Sequence, residues 1–238
     1  MVTAMTQTKT YRVKEIFYTL QGEGAQAGRP SVFCRFSKCN LWNGKEESRA
    51  QSVCDFCDTD FVGTDGENGG IYSAVELVKL IASLWPGQPT PNSKGSNQGT
   101  PYIVCTGGEP LLQLDEPLIE IMHNYGFEVA VETNGTLPAP EGLDWICLSP
   151  KADAELALIE CDELKLVYPQ PLAMPESFDY IQATHRYLQP MADASLDYIV
   201  SDAHEGLSQS NTQKTTHYCL KHPQWKLSLQ THKMLGIE

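Results

Sequence analysis

The sequence is short of positive charge. Of its 238 residues, 17 are Lys or Arg and 30 are Asp or Glu, which gives a formal net charge of −13 at pH 7. An acidic surface repels phosphate groups, so this balance argues against a protein that binds nucleic acid or an anionic membrane surface. We interpret the excess of acidic residues as serving solubility.

Long apolar runs are also missing. No stretch approaches the roughly 20 apolar residues that a membrane-spanning helix needs, and residues 1–7 contain no apolar core of a signal peptide. These absences predict a cytoplasmic protein. Because thiols stay reduced in the cytosol, the eight cysteines are expected to bind metal or to lie in the core.

Strand-like and helix-like segments alternate along much of the chain. Such alternation implies a mainly parallel sheet with right-handed crossovers. We count six or seven strands, and a full eight-stranded barrel needs about 250 residues. The prediction is therefore an α/β fold, an incomplete (β/α) TIM-like barrel, with a doubly wound sheet as the alternative. Residues 1–10 are expected to be a disordered tail and residues 11–238 a single domain, with a mobile connection over 86–100.

The clearest single element is a helix over 73–85. Ser73 and Glu76 form an S-x-x-E capping box, and the apolar residues that follow repeat with the helical period. The other predicted elements are strands over 31–36, 102–105, 127–132, 145–148, 163–167, 186–189 and 225–229, and helices over 115–125, 177–183 and 209–220. Polar motifs follow six of the strands. Because the carboxyl ends of parallel strands share one rim, we expect these motifs to meet in one site.

Three cysteines, Cys39, Cys54 and Cys57, lie close together with the spacing C-x14-C-x2-C. Three thiolates can hold three irons of a [4Fe–4S] cluster and leave the fourth iron open to a small molecule. A zinc site or a redox pair is the alternative, although structural zinc takes four ligands and no fourth Cys or His lies near. The other cysteines are assigned to the core: Cys34, Cys105, Cys147, Cys161 and Cys219.

The long gap between Cys39 and Cys54 is an insertion within the predicted cluster loop, 37–60. Closing the longer loop costs about 1 kcal/mol more than closing a short one. Thiolate–metal binding supplies far more, roughly 10–16 kcal/mol in zinc sites. The insertion over 40–53 is therefore expected to be a surface excursion that leaves the site intact.

Taken together, the motifs resemble those of the radical S-adenosylmethionine (SAM) enzymes and, within them, the 7-carboxy-7-deazaguanine synthase family. The resemblance covers nearly the whole chain. It rests on the three cysteines, on Arg35 placed four residues before Cys39, and on these segments: Thr19-Leu20-Gln21-Gly22-Glu23-Gly24, Cys57-Asp58-Thr59, Thr106-Gly107-Gly108-Glu109-Pro110, Glu132-Thr133-Asn134-Gly135, Ser149-Pro150-Lys151, Gln189-Pro190-Met191 and Gln230-Thr231-His232-Lys233.

The resemblance implies a lyase that converts 6-carboxy-5,6,7,8-tetrahydropterin to 7-carboxy-7-deazaguanine and ammonia by radical ring contraction, in queuosine or deazapurine biosynthesis. The implied cofactors are a [4Fe–4S] cluster on three cysteines, SAM, which is regenerated, and Mg²⁺. A homodimer is implied, and flavodoxin or ferredoxin is the expected electron donor.

The resemblance also assigns roles to individual residues. Cys39, Cys54 and Cys57 ligate the cluster, and Thr59 ligates Mg²⁺. SAM contacts are expected from Gly108, Glu109, Glu132, Ser149, Pro150, Lys151, Gln189, Pro190, Met191 and Ala192. Substrate contacts are expected from Leu20, Gln21, Gly22, Glu23, Arg35, Thr106, Gln230, His232 and the terminal carboxylate of Glu238. No side chain is expected to act as an acid or base.

Several of these residues have simpler interpretations. Thr59 could cap a turn, Lys151 could be a solvated surface charge, and His232 could be structural. Arg35, within an apolar strand, needs a partner for its charge. A substrate carboxylate would supply one, and an internal ion pair with Asp or Glu is the competing interpretation.

Two other functions remain open from the sequence. A glycyl-radical-enzyme activase shares the cluster and the Thr-Gly-Gly-Glu-Pro segment but acts on a protein. A non-catalytic metal-binding module would contain zinc rather than iron and acid-labile sulfide. Gln21-Gly22-Glu23-Gly24 and Gln230-Thr231-His232 favour the small pterin substrate.

Overall fold

The structure is a computed structural model that describes residues 9–92, 99–192 and 210–237. In these ranges the strands are β1 (Thr10–Leu20), β2 (Pro30–Phe36), β3 (Gly70–Ser73), β4 (Tyr102–Gly107), β5 (Glu128–Thr133), β6 (Trp145–Leu148), β7 (Glu160–Tyr168), β8 (Gln182–Pro190) and β9 (Lys226–Leu227). The helices are α1 (Ala74–Leu84), α2 (Glu116–Asn124), α3 (Asn211–Lys221) and α4 (Thr231–Leu235).

All nine strands belong to one sheet in the order β3-β1-β2-β4-β5-β6-β7-β8-β9. Every neighbouring pair from β2 to β9 is parallel, whereas β1 is antiparallel to both β2 and β3. The sheet remains open, with β3 and β9 at its edges. The predicted incomplete barrel of mainly parallel strands is confirmed, and β1, the strand between β2 and β3, is the one strand of this sheet that runs in the opposite direction.

Two groups of buried apolar side chains stabilise the sheet. The larger group lies under β1, β2, β4 and β5, where α1 contributes Leu77, Val78 and Ile81 and α2 contributes its own apolar face. The smaller group surrounds Leu164 and Leu188 on the β6–β9 side. Both helices present apolar residues three and four positions apart, so each buries one stripe against the sheet.

Three local elements differ from the sequence prediction. The helix expected over 177–183 is wrong: Pro175–Phe178 form a single 3₁₀ turn and β8 begins at Gln182. Nine residues of β8 lie beside β7, and the ladder of backbone hydrogen bonds outweighs a weak helical pattern. The strand Gly70–Ser73 and the helix Thr231–Leu235 were not predicted, because four or five residues are too few to show a period.

The predicted start of α1 is confirmed in detail. The Ser73 hydroxyl accepts from the Glu76 backbone N–H at 3.4 Å, and the Glu76 carboxylate accepts from the Ser73 backbone N–H at 2.9 Å. The two residues together satisfy donors that the helix itself leaves free.

Residues 1–8 and 93–98, parts of the expected tail and mobile connection, lie outside the described residues.

Ser73→Ala is expected to lower the free energy of unfolding by about 1 kcal/mol, the usual cost of losing an N-cap hydroxyl. Urea denaturation followed by circular dichroism measures the change. Ser83→Ala, which removes a hydroxyl that bonds the Leu80 carbonyl within the same helix, is the matched control and should cost less. Equal losses would contradict a special role for the capping box.

Candidate active site

A cavity of about 710 Å³ lies on one face of the sheet and extends past the carboxyl ends of β4, β5 and β8. Alternate residues of β1, β2 and β7 line its wall, because residues two apart in a strand share a face. Nearly all of the predicted site residues line it: Leu20, Gln21, Gly22, Glu23, Arg35, Cys39, Cys54, Cys57, Thr59, Thr106, Gly108, Glu132, Ser149, Lys151, Gln189, Pro190, Met191, Ala192, Gln230 and His232.

Two predicted site residues, Glu109 and Pro150, do not line the cavity. A third, Glu238, lies outside the described residues. The Glu109 side chain is fully buried, where its carboxylate accepts from Thr133 Oγ1 at 2.7 Å and from the Asn134 backbone N–H at 2.8 Å. Glu109 therefore joins the loops after β4 and β5 and holds both loops in position beside the cavity.

The three clustered cysteines all reach the cavity. Cys39 follows β2, while Cys54 and Cys57 follow a 3₁₀ turn over Glu46–Gln51. The Cys54 thiol donates to Cys57, which lowers the pKa of Cys57 and raises that of Cys54; burial adds to the rise at Cys54. Burial also raises the pKa of Cys39. One thiol of this set is thus readily converted to the thiolate that a metal requires.

The chemistry of this donor set fits an iron–sulfur cluster. Cys39, Cys54 and Cys57 line the same cavity, and no fourth cysteine of the described chain lines it. Three thiolates can hold three irons of a [4Fe–4S] cluster and leave the fourth iron open.

The cluster-loop insertion folds back onto the cysteines. The Arg49 guanidinium donates to the Cys57 carbonyl at 2.8 Å and to the Asp55 carbonyl at 3.1 Å. It also lies 4.2 Å from the ring centroid of Trp42, a buried side chain packed edge-on against Phe61. The insertion thus braces the turn that carries Cys54 and Cys57, and two of its residues, Leu41 and Trp42, themselves line the cavity.

Gly108 lies against the loop that carries Cys39. A Cβ added at Gly108 would overlap the Lys38 carbonyl oxygen and would lie 2.8 Å from the Cys39 Cβ. We expect Gly108→Ala to displace this loop, lower the free energy of unfolding by about 1–3 kcal/mol and cause loss of iron. Iron and sulfide analysis of the anaerobically reconstituted protein measures the loss.

Gly28→Ala is the control for Gly108→Ala. The backbone of Gly28 has φ +86°, but an added methyl group meets nothing within 4 Å. This variant should lose stability through backbone strain and keep its iron. Equal iron content in the two variants would contradict the proposed close contact at Cys39.

Lys151 and Ser149 form a compact polar corner beside the cysteines. The Lys151 ammonium donates to the Ser149 carbonyl at 2.8 Å and to its hydroxyl at 2.5 Å. Burial lowers the pKa of Lys151, and the nearby Cys54 and Cys57 thiols act in the opposite direction. Lys151 is therefore a half-buried side chain of the cavity wall and not the solvated surface charge that the sequence left open.

Arg35 forms an internal ion pair, which was one of the two alternatives that the sequence left open. Its Nε donates to Glu15 Oε1 at 2.7 Å, and both side chains line the cavity. Beside them Phe17 and Phe33 stack with their rings 5.5 Å apart and 2° from parallel. The sequence analysis missed these two aromatic residues, although their positions two residues from Glu15 and Arg35 in the same strands placed them on the same face.

The far wall of the cavity is a network of charged and amide side chains. Lys165 Nζ lies 2.6 Å from Glu23 Oε2 and 3.4 Å from Glu132 Oε1. Gln189 and Gln230 both donate to Glu23 Oε1, at 3.0 and 2.9 Å. Lys165 was missed by the sequence analysis, although a lysine at the centre of the apolar strand β7 was a usable signal.

His232 lies at the start of α4, directly against Gly22. The Thr231 backbone N–H donates to the Gly22 carbonyl at 2.9 Å, and a side chain at Gly22 would overlap the His232 ring. Burial lowers the pKa of His232, which keeps its ring neutral at neutral pH. Lys233 donates to Asp58 at 2.9 Å, so the chain's last helix is tied to the cluster loop.

The other five cysteines do not line the cavity. Cys34, Cys105, Cys147 and Cys161 are buried, and Cys219 is half-buried in α3, all as free thiols.

In the described ranges, none of the helices combines the length and apolarity needed to cross a membrane.

Comparison with known proteins shows the family. The chain is 54% identical over 229 residues to a 7-carboxy-7-deazaguanine synthase of Caulobacter vibrioides, covering 96% of this chain and 99% of the relative. It is 55% identical to the enzyme of that name from Bradyrhizobium diazoefficiens, with the same coverage, and 36% identical to that of Bacteroides thetaiotaomicron, covering 95% and 98%. No family model matches the chain.

Among solved structures, the crystal structure of QueE from Escherichia coli has a TM-score of 0.60 with 22% identity and covers 92% of this chain and 93% of the other. At this level of sequence identity, the structural similarity shows only that the two proteins share a fold. The sequence identities, which span nearly all of both chains, establish more: the chain belongs to the 7-carboxy-7-deazaguanine synthase family.

Proposed function

We propose that this protein converts 6-carboxy-5,6,7,8-tetrahydropterin to 7-carboxy-7-deazaguanine and ammonia. One observation carries the proposal. Three cysteines and a wall of charged and amide groups line the same cavity, in a chain more than half identical to synthases of that name. The volume of the cavity lies within the range of about 300–1,000 Å³ that is common for small-molecule sites.

Cys39, Cys54 and Cys57 are the proposed ligands of a [4Fe–4S] cluster. When bound, the cluster supplies the electron that cleaves SAM to the radical needed for ring contraction. The chain's own part is to position the reactants. Gly108 permits close approach beside Cys39, Lys151 and Ser149 lie next to the cysteines, and the segment 189–192 closes the opposite side.

The substrate end of the cavity is proposed to lie between Arg35 and the Glu23 network. The guanidinium of Arg35 can pair with a carboxylate, and the stacked rings of Phe17 and Phe33 lie nearby as a flat apolar surface. His232, held neutral by burial, can both donate and accept a hydrogen bond. Thr59 lines the cavity after Cys57, and we propose that it binds Mg²⁺ together with the substrate carboxylate.

Other features of the proposal concern the protein's surroundings. We propose that it acts in the cytoplasm as a homodimer, that flavodoxin or ferredoxin supplies the electron, and that the product enters queuosine or other deazapurine synthesis.

The test is an anaerobic reaction of reconstituted protein with SAM, Mg²⁺, a reductant and 6-carboxytetrahydropterin, followed by mass spectrometry. The expected products are 7-carboxy-7-deazaguanine and ammonia, with SAM conserved. Cleavage of SAM with the pterin untouched would contradict the substrate and favour a protein partner, as in a glycyl-radical-enzyme activase. Zinc in place of iron and sulfide would contradict catalysis altogether.

A further inference from the structure

The residues directly after Cys39 turn backbone N–H groups toward its sulfur. The Leu41 backbone N–H donates to Cys39 Sγ at 3.4 Å. Together with the Trp42 backbone N–H, it opposes the effect of burial, which raises the pKa of the Cys39 thiol. Such donors favour the anionic form of the sulfur, the form in which a cysteine ligates iron. The first residues of the cluster-loop insertion therefore act on a proposed cluster ligand.

The direction of the Leu41 N–H depends on Asn40. That N–H belongs to the planar peptide group between Asn40 and Leu41. A side chain that bonds the N–H two residues further on forms a tight turn, as in the turns made by Asn and Asp, and here Asn40 is the central residue of that turn. Because rotation about the backbone of Asn40 would swing the Leu41 N–H away from the sulfur, the contact requires a fixed Asn40.

Asn40 is held by a closed ring of hydrogen bonds with the loop after β5. Its Nδ2 donates to Thr136 Oγ1 at 2.7 Å, and the Thr136 hydroxyl donates to Asn134 Oδ1 at 2.7 Å. Asn134 Nδ2 completes this Asn40 ring by donating to Asn40 Oδ1 at 3.1 Å. Asn40 is exposed, whereas Asn134 is buried and its backbone N–H donates to Glu109. The ring therefore ties a surface residue to a buried and anchored loop.

Trp42 holds the other end of the turn. Its side chain is buried, packs edge-on against Phe61 and donates from Nε1 to a backbone carbonyl of the insertion at 3.2 Å. Leu41 thus lies between two residues with anchored side chains, Asn40 on the side of β5 and Trp42 on the side of the insertion. Because both ends of this segment are anchored, its N–H groups keep their direction.

Hydrogen bonds to the cysteine sulfurs of an iron–sulfur cluster change its reduction potential. Adding one electron makes the cluster and its thiolate ligands more negative. A fixed N–H donor stabilises the reduced form more than the oxidised form, because a hydrogen bond strengthens with the negative charge on its acceptor. N–H donors at the Cys39 sulfur are therefore expected to raise the reduction potential, which makes the cluster easier to reduce.

We propose that Asn40 is a positioning residue for electron uptake: the Asn40 ring holds the Leu41 N–H on the Cys39 sulfur and thereby raises the reduction potential of the cluster. The inference rests on the proposed function through the cluster on Cys39 and does not depend on the pterin substrate. It assigns a role to the first residues of the cluster-loop insertion, for which the sequence predicted only a surface excursion.

The experiment measures the reduction potential without turnover. Anaerobically reconstituted protein, without SAM or pterin, is titrated with dithionite in the presence of redox mediators, and the reduced cluster is quantified by electron paramagnetic resonance. In Asn40→Ala, the equilibrium constant for adding one electron should fall about tenfold, a shift of about 59 mV to more negative potential. Iron and sulfide content should match those of the unchanged protein.

Two substitutions of Thr136 test whether the Asn40 ring is the cause. Thr136→Val removes the hydroxyl with little change in size and should also make the potential more negative. Thr136→Ser keeps the hydroxyl and should leave the potential unchanged. The double variant with Asn40→Ala and Thr136→Val should shift the potential no further than Asn40→Ala alone, because residues that act through one another are not additive.

Asn43→Ala is the matched control within the same insertion. Asn43 is exposed, as Asn40 is, and its Oδ1 accepts from the Lys45 backbone N–H at 2.8 Å and from Ser48 Oγ at 2.6 Å. Losing these bonds loosens the insertion, but neither bond involves Cys39 or the Asn40 ring. The potential of Asn43→Ala should therefore equal that of the unchanged protein.

The outcomes separate this inference from the proposed function. An unshifted potential in Asn40→Ala, or an equal shift in Asn43→Ala, would overturn the positioning role and leave the proposed function intact. Should Asn40→Ala fail to load iron, the Thr136 pair decides: a more negative potential in Thr136→Val than in Thr136→Ser supports the role, and equal potentials overturn it. Failure of the unchanged protein to assemble an iron–sulfur cluster would overturn both proposals.

Discussion

Replacing Cys54 with alanine should abolish turnover, with product formation reduced at least about a thousandfold. The remaining two cysteines cannot hold three irons, and a cluster assembled on an incomplete ligand set is lost. Cys54 is buried in the cavity wall and donates to Cys57, so its removal also disturbs the second ligand. Iron and sulfide content, the visible absorption band and product formation are measured on the same anaerobic sample.

Cys219→Ala is the matched control for Cys54→Ala. Cys219 is a half-buried free thiol of α3 that does not line the cavity. The Cys219→Ala variant should retain the cluster and the turnover rate of the unchanged protein. A Cys54→Ala protein that keeps a full complement of iron and cleaves SAM would contradict the proposed ligand set, whatever the behaviour of Cys219→Ala.

Arg35→Lys should lower kcat/KM for the carboxypterin about a hundredfold, chiefly through KM. Lysine keeps the positive charge but cannot form the two parallel hydrogen bonds that a guanidinium makes with a carboxylate, which together are equivalent to about 2–3 kcal/mol. SAM affinity should not change, because Arg35 pairs with Glu15 and lies beside the Phe17–Phe33 pair in the cavity wall.

Two comparisons decide what Arg35 does. A tetrahydropterin without the 6-carboxylate should bind equally weakly to the unchanged protein and to Arg35→Lys. Glu15→Gln, which removes the internal ion-pair partner and leaves the guanidinium, should cost less than tenfold in kcat/KM. If Glu15→Gln is as damaging as Arg35→Lys, the internal pair is structural and the substrate contact is wrong.

Features encoded by neighbouring residues were predicted well from the sequence. The capping box of Ser73 and Glu76 fixes the start of α1, and the Asp115 carboxylate caps α2 by accepting from the Leu118 backbone N–H. The C-x2-C turn and the glycine pair at 107–108 are equally local. Each of these signals is complete within a few residues, so their structure depends little on the rest of the fold.

Features that depend on distant pairing were predicted poorly. The segment over 177–183 has a weak helical pattern, and its later residues became a strand because β7 offered a nine-residue partner. The hydrogen bonds of Glu109 with Thr133 and Asn134 join residues 24 and 25 positions apart. Lys165 is paired with Glu23, which lies 142 positions away in the sequence. No pattern among neighbouring residues indicates a contact over such a distance.

The fate of the hydrogen at C6 of the substrate provides the sharpest test of the proposed reaction. Carboxytetrahydropterin with deuterium at C6 is incubated anaerobically with the reconstituted protein, SAM, Mg²⁺ and reductant. We expect 7-carboxy-7-deazaguanine together with deuterium in the recovered SAM pool, since the radical removes that hydrogen and SAM is re-formed. Product without label in SAM, or SAM cleavage without product, would contradict it.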